Sequence, residues 1–207
     1  MSRLALVVFT LLLQGLTACS GPGRDGGAAV DFRGQMMPEP LAKPDFVLTD
    51  TNGEAFDFRR ETDGYLTLLF FGYTYCPDIC PVHMANLGAV ISELPPSLSQ
   101  RIRVVFVTTD AARDTPQRLR SWLDNFGADF IGVAGPLDYI NQIQAALYLP
   151  PAQLGEPDGT GNYLVGHAAS VIAFTPDNLN RLRYPFGIRQ ADWANDIPKL
   201  LEEEWPG

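Results

Sequence analysis

The chain has few of the residues that most often carry chemistry. Its 207 residues include only three cysteines and two histidines. Lysine occurs twice, as Lys43 and Lys199, and acidic residues outnumber basic ones 24 to 15, for a formal net charge of −9. With no basic patch, such a chain offers nothing to a phosphate backbone, which sets nucleic-acid binding aside. Three cysteines are too few for a disulfide framework or for the tandem pairs of a structural zinc site. The one long apolar run, "LALVVFTLLLQGL" near the start, is shorter than the roughly 20 residues a bilayer span needs.

That run instead has the length of a signal-peptide core. Arg3 precedes it, and Leu16-Thr17-Ala18-Cys19 follows, small residues ahead of a cysteine as in a bacterial lipobox. We therefore expect a lipoprotein signal peptide over residues 1–18, with Cys19 as the lipidated residue; the plainer alternative is an ordinary secretory signal. Residues 19–40, rich in Gly and Pro without periodicity, read as a flexible tether. Residues 41–207 are the size of one domain, and a hydrophobic content of 46% is ample for its core. The expected location is the bacterial cell envelope, lipid-anchored to a membrane with the domain outside the cytoplasm.

Within the domain, residues 44–58 alternate around Asn52-Gly53, a hairpin signal. Residues 65–74 and 101–110 are near-continuous apolar runs, as strands buried on both faces show. A helix is expected from Pro77 to about Leu94, and a second after Thr115-Pro116. Residues 130–135 read as a strand, 137–148 as a helix, and 169–187 as two strands around a turn. The last helix contains Pro198, which should kink or break it. Buried strands alternating with helices imply an α/β sheet, parallel in its middle with an antiparallel edge. Residues 150–166 form a long loop.

The chemistry concentrates in "YTYCPDICPVH", residues 73–83. If Cys19 carries lipid, Cys76 and Cys80 are the remaining pair. One bridge across so short a loop would stabilise little, because the effect grows with loop length, so the pair is functional rather than a staple. It lies after a buried strand and at a helix start, where α/β sheets place their sites. Pro77 keeps Cys76 out of helical geometry. Thiolates are favoured at the positive end of the helix dipole, and thiolate is the form that attacks disulfides and binds soft metals such as Cu(I). A third ligand would sharpen a metal site. His83, three residues after Cys80 and seven after Cys76, shares their face by helical spacing, which slightly favours it. His167 lies beyond the long loop, where distance in sequence says nothing, and a helix histidine is more often a surface residue, so the two stand even.

"FFGYTYCPDICP", followed by "VTTDAARDTPQRL" and "YLVGHAAS", resembles the Sco/SenC family over about residues 40–205. The resemblance implies a thioredoxin-like three-layer fold with a mixed central sheet and an N-terminal β-hairpin. It implies copper as cofactor, held by Cys76, Cys80 and His167, with His83 the alternative third ligand. It also implies a job in cytochrome c oxidase assembly. The protein would deliver copper to the oxidase subunit carrying the copper A site, or keep that site's cysteines reduced, with another periplasmic copper carrier as a further partner. Asp78, Asp110 and Asp114 would belong to the outer shell, although the plainest reading of Asp78 and Asp114 is helix capping. The sequence departs from the family pattern at Gly166, where the family has Asp, at Ala168 for Ser and at Ala111 for Pro.

The competing reading is an extracytoplasmic thiol–disulfide oxidoreductase using the Cys76/Cys80 dithiol. Against it stand three intervening residues rather than two, and the absence of proline from residues 159–175, where such enzymes carry one opposite the dithiol. The expected protein is thus a copper carrier rather than an enzyme.

Overall fold

The computed structural model describes residues 31–202 and Trp205. The signal peptide, Cys19 and most of the tether lie outside the described residues. In chain order the elements are β1 (Gln35–Ala42), β2 (Val47–Asp50), β3 (Ala55–Asp57), α1 (Phe58–Glu61), β4 (Leu66–Gly72), α2 (Ile79–Glu93), α3 (Pro96–Ser99) and β5 (Ile102–Thr108). There follow α4 (Pro116–Leu123), β6 (Ile131–Ala134), α5 (Leu137–Ala146), β7 (Gln153–Leu154), β8 (Val165–Gly166), β9 (Val171–Phe174), β10 (Leu179–Tyr184) and α6 (Gln190–Glu202).

Eight strands make one sheet in the order β1-β10-β9-β4-β5-β6-β2-β3. β4, β5 and β6 are parallel, while β9 runs antiparallel beside β4. The mixed sheet follows from the apolar runs. All seven residues of β4 are buried, and their alternation feeds two cores. Leu66, Leu68 and Phe70 face Met84 and Leu87 of α2 and Trp193 and Ile197 of α6. Leu69 and Phe71 face the other way, into a cluster with Ile140 and Ile143 of α5 and Phe58 of α1. Helices therefore cover both faces, giving three layers.

The hairpin expected around Asn52-Gly53 forms as β2–β3, with Gly53 at φ +86° and Asp50 Oδ1 accepting the Asn52 and Glu54 amides. It is not isolated, since β2 also pairs with β6.

Three expectations are corrected. The tether boundary at residue 40 is too late: β1 begins at Gln35 and pairs with β10, and the compact unit begins at Asp31. Pro38 and Pro40 hid the strand, but an edge strand tolerates proline because its outward N–H needs no partner. The buried Asp196 carboxylate accepts the Arg33 and Gly34 amides and the Tyr184 hydroxyl, fixing the chain's entry into the sheet. Pro198 does not break the last helix, because the buried Ile197, Leu200 and Leu201 on either side of it hold both halves to the core. Finally, the long loop is partly ordered as the antiparallel ribbon β7–β8. No helix among the described residues is long and apolar enough to cross a membrane.

α2 packs so closely that a Cβ at Gly88 would lie 2.1 Å from the Phe126 carbonyl oxygen. In an open helix Gly→Ala would gain roughly 0.5–1 kcal/mol, but overpacking against backbone costs about 1–3 kcal/mol or more. The clash wins. Gly88→Ala is expected to lower the unfolding free energy by about 2 kcal/mol, measured by denaturant titration; an equal or more stable variant would contradict this packing.

Candidate metal centre

The site forms where β4 ends. After Gly72 the chain turns, with the Cys76 amide donating to the Tyr73 carbonyl at 3.1 Å. The helix begins at Ile79, two residues later than Pro77, so Cys76 precedes it and Cys80 lies in its first turn. The Cys80 amide points at Cys76 Sγ across 3.4 Å, one of the helix-start donors that have no partner inside the helix. Gly72 makes room for the second sulfur, since a Cβ there would stand 2.7 Å from Cys80 Sγ.

His167 reaches the same point from the far side of the sequence. Its Nε2 lies 3.5 Å from Cys80 Sγ and 3.7 Å from Cys76 Sγ, and the three potential ligand atoms all lie within 4.8 Å of one another. Its Nδ1 is 2.9 Å from the Ala168 carbonyl oxygen. A carbonyl only accepts, so Nδ1 carries the proton, and in the neutral ring the Nε2 lone pair is turned to the sulfurs. A backbone carbonyl thus fixes the ring's tautomer, as an acceptor hydrogen-bonded to a ligand histidine commonly does. Phe70 and Tyr73 meet the imidazole edge-on, with centroids at 5.8 and 5.6 Å.

The thiols are unlike. Cys76 is 8% exposed and Cys80 fully buried. The Cys80 thiol's hydrogen bond holds Cys76 down to about 4 against the opposing effect of burial, with the Cys80 and Asp78 amides adding to the lowering. Burial, then the hydrogen bond to Cys76 and the charge there, pushes Cys80 up. The pair therefore carries one negative charge at neutral pH, on Cys76.

The remaining candidates do not converge on the sulfurs. His83 is buried, with Nε2 3.1 Å from the Ala169 carbonyl oxygen, and it is not one of the clustered ligand atoms. The shared-face expectation fails because Cys76 is not on the helix, so the helical repeat does not relate it to His83. Asp78 is the N-cap residue, but its exposed side chain makes no cap hydrogen bond. Asp110 is buried and accepts from the Tyr163 hydroxyl at 2.8 Å and from the Arg113 guanidinium. Asp114 is not a helix cap, because Thr115 takes that role. Its carboxylate instead accepts the Thr74 amide at 2.9 Å, the Thr74 hydroxyl at 2.6 Å and the Thr108 hydroxyl at 2.5 Å. It thereby ties the cysteine loop to the end of β5, two residues before Cys76.

Sequence reasoning missed the supports of that loop. Arg118 Nε donates to the Thr74 hydroxyl at 2.7 Å, and its guanidinium lies over Tyr75. Arg113 stacks on Tyr163 at 3.5 Å. Contacts between residues 40 or more apart leave no periodic trace. Beside the site is a cleft of about 320 Å³ lined by Cys76, Pro77, Ile79, Leu164, Val165 and His167.

With this geometry in hand, comparison with known proteins is specific. The SCO1/SenC family model matches residues 34–202. A Stutzerimonas stutzeri protein provisionally named as copper-binding is 31% identical over 198 residues, covering 94% of this chain and 95% of that one. The solution structure of apo Sco1 from Thermus thermophilus superposes with a TM-score of 0.72 at 29% identity, covering 84% of this chain and all of that one. The structure of Bradyrhizobium japonicum ScoI with copper bound gives 0.67 at 26% identity, covering 78% and 99%. The fold is thioredoxin-like, as theirs is.

The charge on Cys76 is testable without metal. An ordinary thiol, with a pKa near 8.5, gains about tenfold in alkylation rate per pH unit below that value. Cys76, already deprotonated above about 4, should react with iodoacetamide at a nearly constant rate between about pH 5.5 and 8. A tenfold rise per unit over that range, followed by mass spectrometry, would contradict the assignment.

Proposed function

The chain belongs to the SCO1/SenC family, and on that premise we propose that it is a copper carrier, binding one copper ion between Cys76 Sγ, Cys80 Sγ and His167 Nε2. The observation that carries this is the convergence of those three atoms within 4.8 Å. Two thiolates and one imidazole form a soft, three-coordinate set suited to Cu(I), and an added oxygen would complete a tetragonal Cu(II) site. The copper-binding name of the S. stutzeri relative and the copper in B. japonicum ScoI support the same reading. Cu(I) binding displaces the Cys80 proton, so that two thiolates face the ion.

The copper is cargo. It would come from another periplasmic copper carrier and pass, by stepwise ligand exchange at the open cleft, to the oxidase subunit with the copper A site. Transfer exchanges metal ligands and converts no substrate, which makes the protein a carrier rather than an enzyme. Lipidation at Cys19 would hold it on a membrane in the bacterial cell envelope. The sheet register gives the direction in which β1 enters the fold. Gln35 stands opposite Arg183, Arg183 opposite Ile172, and Ile172 opposite Leu69. The described chain therefore enters the domain at the end of the sheet where β4 delivers the cysteines.

The unequal thiols favour a second role at the same site. The Cys76 thiolate could attack a client disulfide. The Cys80 thiolate, formed on loss of its proton, would then displace the client sulfur, leaving a Cys76–Cys80 disulfide and a reduced client.

Competition titration of the reduced protein against a Cu(I) chelator tests the main reading. One tightly held Cu(I) per chain is expected, lost in Cys76→Ser and Cys80→Ser and weakened in His167→Ala. Reduced wild-type protein that yields all its Cu(I) to the chelator would overturn it.

A further inference from the structure

The geometry points to His83 as a positioning residue for His167: its Nε2–H, donated to the Ala169 carbonyl, pins the loop that carries the imidazole onto the helix that carries Cys80. This rests on the copper-carrier reading for its consequence, though not for its geometry. His167 lies in the irregular segment between β8 and β9. The ring's own hydrogen bond, to the Ala168 carbonyl, stays within that segment and cannot fix the segment to anything else. His83, on α2 three residues after Cys80, is 1% exposed and bonds the very next carbonyl, that of Ala169, at 3.1 Å.

Successive carbonyls of one loop are thus held by the two histidines of the chain. Ala168 accepts from the ligand histidine and Ala169 from the helix histidine. The peptide that links them sets both where the loop sits and which nitrogen of His167 carries its proton.

The surroundings of His83 leave it no other polar task. Its ring lies against Phe70, centroids 5.1 Å apart, and meets Phe186 edge-on at 5.9 Å. Its Nδ1 is buried with no hydrogen-bond partner among the described residues. A buried polar atom left unpaired costs about 1–3 kcal/mol, and a leucine at that point of the helix would avoid the cost. The polar ring is explained by the one bond it makes. Phe70 also contacts both rings, 5.1 Å from His83 and 5.8 Å from His167, so the pocket that seats one imidazole also seats the other.

The test compares three proteins, wild type, His83→Leu and His83→Gln. Leucine keeps the apolar bulk and removes the donor, whereas glutamine places an N–H close to where imidazole Nε2 stood. Thermal melts establish folding, and His83→Met replaces the leucine variant if that does not fold. The first readout is the ¹⁵N spectrum of the His167 ring in copper-free protein, which stands whether or not copper is the cargo. Wild type and His83→Gln should show the single Nδ1–H tautomer, and His83→Leu a mixture of tautomers. The second is Cu(I) affinity, expected to fall about 10- to 100-fold in His83→Leu, the usual cost of losing a group that orients a ligand, and to return in His83→Gln. An unchanged tautomer and affinity in His83→Leu would overturn the proposal, as would a glutamine variant that behaves like the leucine one. Loss of a nitrogen ligand from the copper in His83→Leu, with His167→Ala unaffected, would make His83 a ligand and overturn it too.

Discussion

The site depends on β9 lying antiparallel against β4. The pairing sets Thr67 opposite Phe174, Leu68 opposite Ala173 and Leu69 opposite Ile172. Continued along both strands, the same register sets Thr74 across from His167. The chain leaving β4 toward the cysteines and the chain arriving at β9 from the histidine therefore meet at one end of the sheet. A parallel neighbour would have carried the histidine to the opposite end. Everything else at the site refines a meeting that the strand order already guarantees.

The refinement is a matter of where protons and donors are spent. Asp114 uses its carboxylate on Thr74 and Thr108, which fixes the exit of β4 before the turn begins. The start of α2 aims its unpaired amides at Cys76, and Gly72 leaves space for Cys80. The Ala168 carbonyl takes the Nδ1 proton of His167, freeing Nε2. Each of these holds a potential ligand atom through contacts within the protein, so copper would find the site largely formed. Such preorganisation favours fast, reversible loading, as a carrier needs, because little of the binding energy goes into ordering the protein.

Much of this was legible in the chain. Continuous apolar runs marked β4 and β5, and Cys-Pro spacing marked the turn into α2. The choice of third ligand was not legible. Helical repeat makes a near neighbour such as His83 look placed, whereas a partner delivered by an adjacent strand leaves no periodic signal at all. The same blindness to tertiary pairing hid β1 behind Pro38 and Pro40, and read Asp114 as a plain cap when its partners were Thr74 and Thr108. The family resemblance supplied His167 where spacing could not. It could not supply the Ala168 carbonyl that takes the ring's Nδ1 proton.

The central claim, that three side chains from two distant segments close on one ion, is tested most directly by X-ray absorption at the copper edge on Cu(I)-loaded protein. The account predicts two sulfur neighbours and one imidazole nitrogen, with the nitrogen lost in His167→Ala. A spectrum with the imidazole unchanged in that variant, or with sulfur from only one cysteine, would contradict it.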